Sequence, residues 1–410
     1  MIRKNDNCRA CLNKELKLVL RYKPSPIGDE YITKENLNMI QPLYPIDLYQ
    51  CADCGFTQLL DVIDPEILYG NYIYQTKSSP GLQKHFTNFA KTVVNKIKPN
   101  KNELVIDIGC NDGVLLKEFK KLNLEVIGIE PAKEIAAENN KHGILTYGEF
   151  LNETLTNDII SNHGLANIIT SNNVFANIDD INEWTKCVKR LLSDDGVYIF
   201  ESFYLADLIK NKVFDFIYHE HLSAFSVKPL KTFFEMYSME IFDIERIYTK
   251  GGSLRYYVQN TNGKNMINTI VDEFIAEENS MGLYKSEIYN NFYREIDEIK
   301  KRTRNILLEA KKNGKKIAGF GASITCTTLI YHFEIEDMID YLVDDNELKQ
   351  GTFLPGKHIP VYPPDHLISE KPDILIILAW RFKDPIIANN KNLLSNIETV
   401  ITPLPYFETN

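Results

Sequence analysis

The sequence predicts an α/β protein in three parts, in which a small N-terminal lobe precedes two domains that each contain a mainly parallel sheet. Two CxxC pairs fall in the first part, where hydrophobic periodicity is weak and prolines are frequent. After residue 103, short apolar runs alternate with segments of helical spacing, which is typical of parallel strands joined by crossover helices. A chain of 410 residues is also too long for one core. We therefore divide it into residues 1–70, 71–244 and 245–410.

The composition is that of an ordinary globular protein and excludes several classes of function. Charged residues make up 25% of the chain and the formal net charge is −10, so we expect no surface for nucleic acid. No apolar run reaches the roughly 18 residues of a membrane span, and the first residues lack the apolar stretch of a signal peptide. We expect a cytoplasmic protein that binds neither nucleic acid nor membranes, and the sequence leaves its oligomeric state open.

The N-terminal lobe carries four cysteines in two pairs, Cys8 with Cys11 and Cys51 with Cys54. In a cytoplasmic chain this spacing favours metal binding over disulfide bonds. Each CxxC turn lets two thiolates converge on one ion, and two such turns complete the tetrahedral shell of Zn²⁺ with no place for water. The zinc would therefore be structural and would help to fold a segment too small for its own core. Four reduced cysteines without metal are the alternative.

The second part reads as a series of alternating strands and helices. Apolar residues recur at helical spacing over residues 80–98. Strands are predicted at 103–109, 125–131, 165–174 and 196–202, and helices at 114–122 and 133–143. This order predicts a parallel sheet with right-handed crossovers.

The third part begins where the pattern changes, near residue 240. Strands are predicted on either side of a KGG turn, and a long charged helix over 283–312 ends before Gly314. Further strands are predicted at 315–323, 338–346 and 372–380. These elements indicate a second α/β domain, with the long helix as a solvated connector packed on one face.

A glycine-containing loop, GCNDG, lies between the first strand of the second part and the helix that follows. Glycines let a ligand approach the backbone, and the helix N-terminus offers N–H groups. Glu130 ends the next strand, where a carboxylate can accept both hydroxyls of a ribose. This layout predicts a cofactor that contains adenosine.

S-adenosylmethionine (SAM) fits the loop better than a dinucleotide does. A dinucleotide site prefers GxGxxG, with a third glycine for tight helix packing. Here the loop carries the polar residues Asn111 and Asp112, which suit an amino-acid group better than a pyrophosphate. An ordinary strand–helix turn is the alternative. The candidate cofactor-binding residues are Gly109, Asn111, Asp112, Gly113, Glu130, Pro131 and Asn173.

Seven segments in a specific order resemble a known family. They are CRAC, PLYPIDLYQCADCGFTQL, NYIYQTKSS, VIDIGCNDGVLLKEF, YHEHLSAFS, GGSLRYYV and DDNELKQGTFLPGKHIPV. Over nearly its whole length the chain is similar to the bacterial SAM-dependent C-methyltransferases that act on nucleotide-linked deoxyketosugars. The resemblance implies a zinc-binding lobe, a Rossmann-like SAM methyltransferase domain, and a second Rossmann-like domain that helps to hold the nucleotide sugar.

The polar segment, residues 215–226 (DFIYHEHLSAFS), places a phenol, two imidazoles and a carboxylate close together. Methylation of carbon needs such groups, because a base must remove a proton beside a ketone while donors stabilise the enolate oxygen. The resemblance assigns the base to His221, with Tyr218 and Glu220 beside it. The alternatives are packing of the HEH sequence at a domain boundary through hydrogen bonds to backbone carbonyls, and chelation of a metal by HxH.

The resemblance also implies an aromatic residue at the active site, for which two tyrosines compete. We place Tyr72 with the catalytic residues and Tyr74 at the substrate, although the sequence alone does not separate them. Arg255 could pair with a substrate phosphate or form a surface ion pair.

Two positions differ from the family pattern. Asn177 stands where the family often has a histidine, so it could bind a sugar oxygen but could not transfer a proton. Thr325 and Cys326 occupy a region where the family commonly has a lysine. These differences bear on the sugar and the nucleotide more than on the reaction class.

Three other functions compete with C-methylation. O- or N-methylation of a related sugar would need no ketone, and a nicotinamide-dependent oxidoreductase would use the C-terminal domain. A non-catalytic, zinc-dependent assembly protein is the third.

Overall fold

The computed structural model describes residues 2–69 and 80–410 and confirms the predicted α/β class. Within those residues the strands form one sheet of seven strands, one of six, one of four and one of two. The two largest are the mainly parallel sheets that the alternation of strands and helices predicts. No helix in the described ranges has both the length and the apolar character needed to cross a bilayer.

The N-terminal lobe is a small antiparallel unit. It comprises β1 (Ile2–Lys4), β2 (Leu16–Leu20), β3 (Leu48–Cys51), β4 (Thr57–Leu59), β5 (Asp61–Ile63) and the helix α1 (Pro65–Tyr69). Strands β2, β3 and β4 pair in sequence, and β1 pairs with β5. Leu16 lies opposite Cys51, so the sheet brings the loop before β2 next to the turn after β3.

The four thiols of this lobe converge on one point. The Sγ atoms of Cys8 and Cys54 are 3.6 Å apart, as are those of Cys11 and Cys51. All four lie within 4.8 Å of one another, and none is in a disulfide bond. A Zn²⁺ ion with Zn–S bonds of about 2.3 Å holds its four sulfurs roughly 3.8 Å apart. The geometry therefore fits the predicted zinc site.

The seven-stranded sheet forms the second part. Its elements are α2 (Pro80–Ile97), β6 (Leu104–Ile108), α3 (Val114–Lys121), β7 (Glu125–Ile129), α4 (Lys133–Lys141), β8 (Thr146–Tyr147), α5 (Glu153–His163), β9 (Ala166–Asn172), α6 (Ile181–Leu191), β10 (Leu192–Phe203), α7 (Leu205–Lys210), β11 (Ser223–Ala224), α8 (Val227–Glu235), β12 (Met239–Ile247) and β13 (Ser253–Asn260). The strand order is β12-β13-β10-β9-β6-β7-β8, and β13 runs antiparallel to both of its neighbours.

The division expected after residue 244 falls inside β12. The strands on either side of the KGG turn form a hairpin that joins the edge of the seven-stranded sheet through β10. This sheet therefore continues to Asn260, because the register of β13 on β10 buries both faces of the hairpin strand.

The third part contains the six-stranded sheet. Its elements are α9 (Ile270–Met281), α10 (Ser286–Lys312), β14 (Ile317–Phe320), α11 (Ile324–Phe333), β15 (Tyr341–Val343), β16 (Val361–Tyr362), α12 (His366–Ser369), β17 (Ile374–Ile377), α13 (Lys383–Asn389), α14 (Lys391–Leu394), β18 (Thr399–Thr402) and β19 (Glu408–Thr409). The order is β16-β15-β14-β17-β18-β19, with only the last pair antiparallel. The long helix is confirmed, and its buried face meets the lobe where Gln50 Nε2 donates to the Tyr289 hydroxyl at 2.9 Å.

The polar segment lies where the three parts meet. Its strand β11 pairs with β4 of the lobe, with Ser223 opposite Gln58. At its other end the fully buried carboxylate of Asp215 accepts hydrogen bonds from Trp380 Nε1 and Arg381 Nη1, each at 3.0 Å. The N-terminal lobe and the C-terminal domain therefore both fix this segment.

Removal of one zinc ligand should release the metal. We expect Cys11→Ser to lower zinc content from about one ion per chain to a small fraction of that, because a structural site needs its four protein ligands. Elemental analysis of the gel-filtered protein measures this. Cys187→Ser, at a buried cysteine outside the cluster, is the control. Equal zinc content in both variants would contradict the site.

Candidate active site

A cavity opens at the carboxyl edge of the seven-stranded sheet. The strand order reverses between β6 and β9, and a parallel sheet leaves a crevice for ligands at such a point. Five of the seven predicted cofactor-binding residues line this cavity. They are Gly109, Asn111, Glu130, Pro131 and Asn173.

The other two predicted cofactor-binding residues shape the loop. Asp112 and Gly113 are not among the described residues that line the cavity. Gly113 has φ = 67° and immediately precedes α3, where a left-handed backbone favours glycine. Asp112 is buried, and its backbone carbonyl accepts a hydrogen bond from Lys117 Nζ at 3.0 Å.

Gly109 is required by both its backbone and its surroundings. Its φ is 74°, and a Cβ atom at this position would overlap the side chain of Val174. The loop after β6 is therefore pressed against the loop after β9. This contact leaves the backbone open toward the cavity, as the sequence predicts for a cofactor loop.

Glu130 is fixed at the end of β7 by backbone donors. Its Oε2 accepts from the Asn111 N–H at 2.8 Å and its Oε1 from the Ala132 N–H at 3.0 Å. Burial raises the pKa of this carboxyl, and the two backbone hydrogen bonds oppose that rise. Each oxygen keeps a second lone pair, so the carboxylate can still accept ribose hydroxyls.

Two asparagine side chains in the cavity wall lack partners within the described residues. The Nδ2 and Oδ1 atoms of Asn172, and the Oδ1 atom of Asn177, are buried without a hydrogen bond there. Buried polar atoms are almost always paired, so such orphans indicate a polar ligand. The hydroxyls and amines of SAM fit this wall. The sequence assigns Asn177 to a sugar oxygen of the substrate, and it does not identify Asn172, whose orientation depends on where β9 ends.

The imidazole of His221 is buried in an aromatic surround and is held in one tautomer. Its ring centroid lies 4.0 Å from that of Tyr218 and 4.8 Å from those of Phe203 and Phe216. The Nδ1 atom lies 2.7 Å from the carbonyl oxygen of Phe216. A carbonyl only accepts, so Nδ1 carries the proton and Nε2 carries the lone pair. Burial lowers the pKa of His221 to about 3, which keeps the ring neutral at neutral pH.

Glu220 differs from an ordinary surface glutamate. Its side chain is buried, and burial together with the charge of Asp29 raises the pKa of the carboxyl to about 8. Near neutral pH it is therefore mostly protonated and can donate a hydrogen bond. The positive charges of Lys250 and Lys349 oppose this rise.

Lys250 connects the cavity with the polar segment. Its side chain lines the cavity, and its charge acts on both His221 and Glu220. Neither of these two residues, nor Tyr218, is among the described residues that line the cavity. The sequence did not identify Lys250, because it becomes a neighbour of the cavity only through the β12–β13 turn.

The remaining predicted residues are placed as follows. Tyr72 and Tyr74 lie outside the described residues. Arg255 does not line the cavity among the described residues; its guanidinium donates to Glu201 at 2.6 and 2.8 Å and to Glu245 at 2.9 Å. This buried pairing weighs against direct binding of a substrate phosphate by Arg255.

His219 faces away from His221, toward the lobe. Its Nε2 lies 3.3 Å from the carbonyl oxygen of Tyr44, and the two rings meet edge to face. Burial lowers the pKa of His219 to about 4.

The comparisons with known proteins agree with the three-part division. A family described as a zinc binding domain matches residues 8–69, a methyltransferase domain matches residues 82–241, and a C-methyltransferase C-terminal domain matches residues 248–405. The chain is 30% identical to the C-methyltransferase NovU of Streptomyces niveus, over 99% of this chain and 97% of that protein. The chain therefore belongs to this family of C-methyltransferases, as the resemblance predicts, and its cofactor is SAM.

Solved structures match a smaller share of the chain. A SAM-dependent methyltransferase of Clostridium acetobutylicum is 14% identical, with a TM-score of 0.34, over 44% of this chain and 92% of that one. The magnesium protoporphyrin IX methyltransferase of Synechocystis is 14% identical, with a TM-score of 0.35, over 45% of this chain and 84% of that one.

A side chain at position 109 should block the cofactor. We expect Gly109→Ala to weaken binding of S-adenosylhomocysteine at least about tenfold, because the added Cβ strains a left-handed backbone and displaces Val174. Isothermal calorimetry measures the affinity. Gly143→Ala is the control, since Gly143 has a similar φ of 75° but open space around it. Equal affinity in the two variants would contradict the loop assignment.

Replacement of Glu220 should change how stability depends on pH. The folded pKa of about 8 lies above the ordinary value of 4.5, so the wild-type protein loses stability as pH rises from about 5 through 8. Glu220→Gln removes this loss, and its free energy of unfolding relative to wild type should rise across that window.

Denaturant titrations at several pH values measure this difference. Glu235→Gln, at an exposed glutamate, controls for removal of one negative charge. A difference for Glu220→Gln that does not change with pH would show that Glu220 is ionised throughout.

Proposed function

We propose that the protein transfers a methyl group from SAM to a carbon beside the ketone of a nucleotide-linked deoxyketosugar. The observation that carries this proposal is the neutral imidazole of His221, whose Nδ1 proton is committed to the Phe216 carbonyl. The remaining nitrogen, Nε2, is a proton acceptor held in a fixed direction. A carbon nucleophile requires a base of this kind, because the proton beside the ketone must be removed before the enolate can form.

The side chains of the polar segment would divide the work as follows. Nε2 of His221 takes the proton from the carbon beside the ketone, and the electron pair moves onto the carbonyl oxygen. The hydroxyl of Tyr218, whose ring packs against that of His221, donates toward the sugar or the enolate. The protonated carboxyl of Glu220 binds a sugar oxygen as a donor. SAM, when bound, supplies an electrophilic methyl group, which the enolate carbon takes up while the ketone is restored.

The relative supports the reaction type, and the position of the polar segment supports the substrate class. NovU is named as a C-methyltransferase and is similar to this chain from end to end. The polar segment lies between the lobe, the methyltransferase sheet and the C-terminal domain, where a long substrate such as a nucleotide sugar can touch all three. We propose that the C-terminal domain contacts the nucleotide.

Exchange of deuterium into the substrate tests the base. We incubate the protein in deuterated water without SAM, with a panel of thymidine-, uridine- and guanosine-diphosphate-linked deoxyketohexoses, and detect the label by mass spectrometry. His221→Asn should lower the exchange rate by at least about 100-fold, because a general base contributes on that scale.

His219→Asn is the matched control, since it changes a buried histidine two residues away that faces Tyr44. Its exchange rate should stay close to that of the wild-type protein. Methylation on oxygen or nitrogen without carbon exchange would contradict the proposal and favour the O- or N-methyltransferase alternative.

A further inference from the structure

The backbone at Lys250 is held in an unusual conformation. Its φ is 56°, in the left-handed region that a lysine rarely adopts, and it is followed by Gly251 and Gly252, with φ values of 87° and 126°. A Cβ at Gly252 would come within 2.5 Å of the Asp207 side chain, so the turn is packed tightly against α7. The turn therefore directs the partly buried lysine side chain to the cavity wall.

No carboxylate among the described residues forms an ion pair with Lys250. The charges of two carboxyl groups, Glu201 and Glu220, act on Lys250. Neither carboxyl group is its counterion. Glu201 is paired with Arg255 and with His85, whose Nε2 lies 2.7 Å away. Glu220 is mostly protonated near neutral pH. Burial lowers the pKa of Lys250 to about 8, so its amine is still mostly cationic at neutral pH.

A partly buried cation without a counterion is costly, so this position indicates an anion that arrives with a ligand. Three anions could reach it, namely the carboxylate of SAM, the diphosphate of the substrate, and the enolate oxygen formed during the reaction. Lys250 lines the cofactor cavity, and its charge also acts on His221 and Glu220, so it is the described residue that adjoins both the cavity and the polar segment. In the proposed reaction the enolate oxygen forms beside the base, so it is the anion that a cation next to the polar segment would meet; the other two anions are outcomes of the test below.

We propose that Lys250 is a catalytic residue whose ammonium group stabilises the enolate oxygen. This inference rests on the proposed function. The carbon–hydrogen bond breaks as the proton passes to Nε2 of His221, and the electron pair comes to rest on the carbonyl oxygen opposite Lys250. The enolate carbon then bonds to the methyl group, the ketone re-forms, and SAM becomes S-adenosylhomocysteine. The charge of Lys250 is needed because His221, buried among aromatic rings, is a weak base.

Charge-removing and charge-keeping variants test this role. Lys250→Met keeps the length of the side chain and removes the charge, and Lys250→Arg keeps the charge. For each we measure deuterium exchange without SAM, kcat and KM for methyl transfer to the ketohexose that the wild-type protein labels, and affinity for S-adenosylhomocysteine. Lys210→Met, at an exposed lysine on α7, is the control.

We expect Lys250→Met to lower exchange and kcat by about 100-fold or more, the usual effect of losing one oxyanion contact. KM and the affinity for S-adenosylhomocysteine should stay near the wild-type values. Lys250→Arg should recover at least about a tenth of the lost rate, because a cation remains at the site. Lys210→Met should behave as wild type.

Five results would overturn the inference. A rise in KM alone would place Lys250 at the substrate diphosphate, and a loss of affinity for S-adenosylhomocysteine would place it at the cofactor carboxylate. Equal loss in the methionine and arginine variants would show a structural role. Wild-type exchange in Lys250→Met would remove Lys250 from catalysis while leaving the proposed function intact, whereas failure of the wild-type protein to exchange with any ketohexose would reject both.

Discussion

Burial of an imidazole against aromatic rings is the constraint on which the site depends. Away from water the charged form of His221 is disfavoured, and the short hydrogen bond to the Phe216 carbonyl commits one ring nitrogen as a donor. The other nitrogen is thereby left as an acceptor, and no acidic side chain in the described part of the chain forms an ion pair with it. This arrangement requires that the polar segment be fixed at both ends. At one end β11 pairs with β4, and at the other end Asp215 accepts hydrogen bonds from Trp380 and Arg381.

The same burial explains why the site needs three structural units. The zinc lobe is too small to hold a rigid sheet by its own core, so the four thiols supply the constraint that keeps β3 and β4 in place beside the polar segment. The seven-stranded sheet supplies the cofactor cavity, and its last hairpin carries Lys250 to the wall of that cavity. The C-terminal domain contacts the polar segment through Trp380 and Arg381, which donate to Asp215.

Local signals in the sequence predicted much of this arrangement, and long-range pairing determined the rest. The CxxC spacing and the glycine loop are local, because a few adjacent residues decide their geometry, and both features lie where they were expected. Arg255 was considered for phosphate, yet the register of β13 on β10 places it opposite Glu201, 54 residues earlier in the chain. The sequence does not identify Lys250 for the same reason, because its position at the cavity depends on where the β12–β13 hairpin joins the sheet. Sequence spacing carries no information about that contact.

The tautomer of His221 is the most direct test of this account. In protein labelled with nitrogen-15 at histidine, the ring signals that disappear in His221→Asn belong to this residue, and their chemical shifts and proton couplings show which nitrogen is protonated. The account predicts a neutral ring with the proton on Nδ1, unchanged from neutral pH down to about pH 5. A proton on Nε2, or a doubly protonated ring near neutral pH, would contradict it.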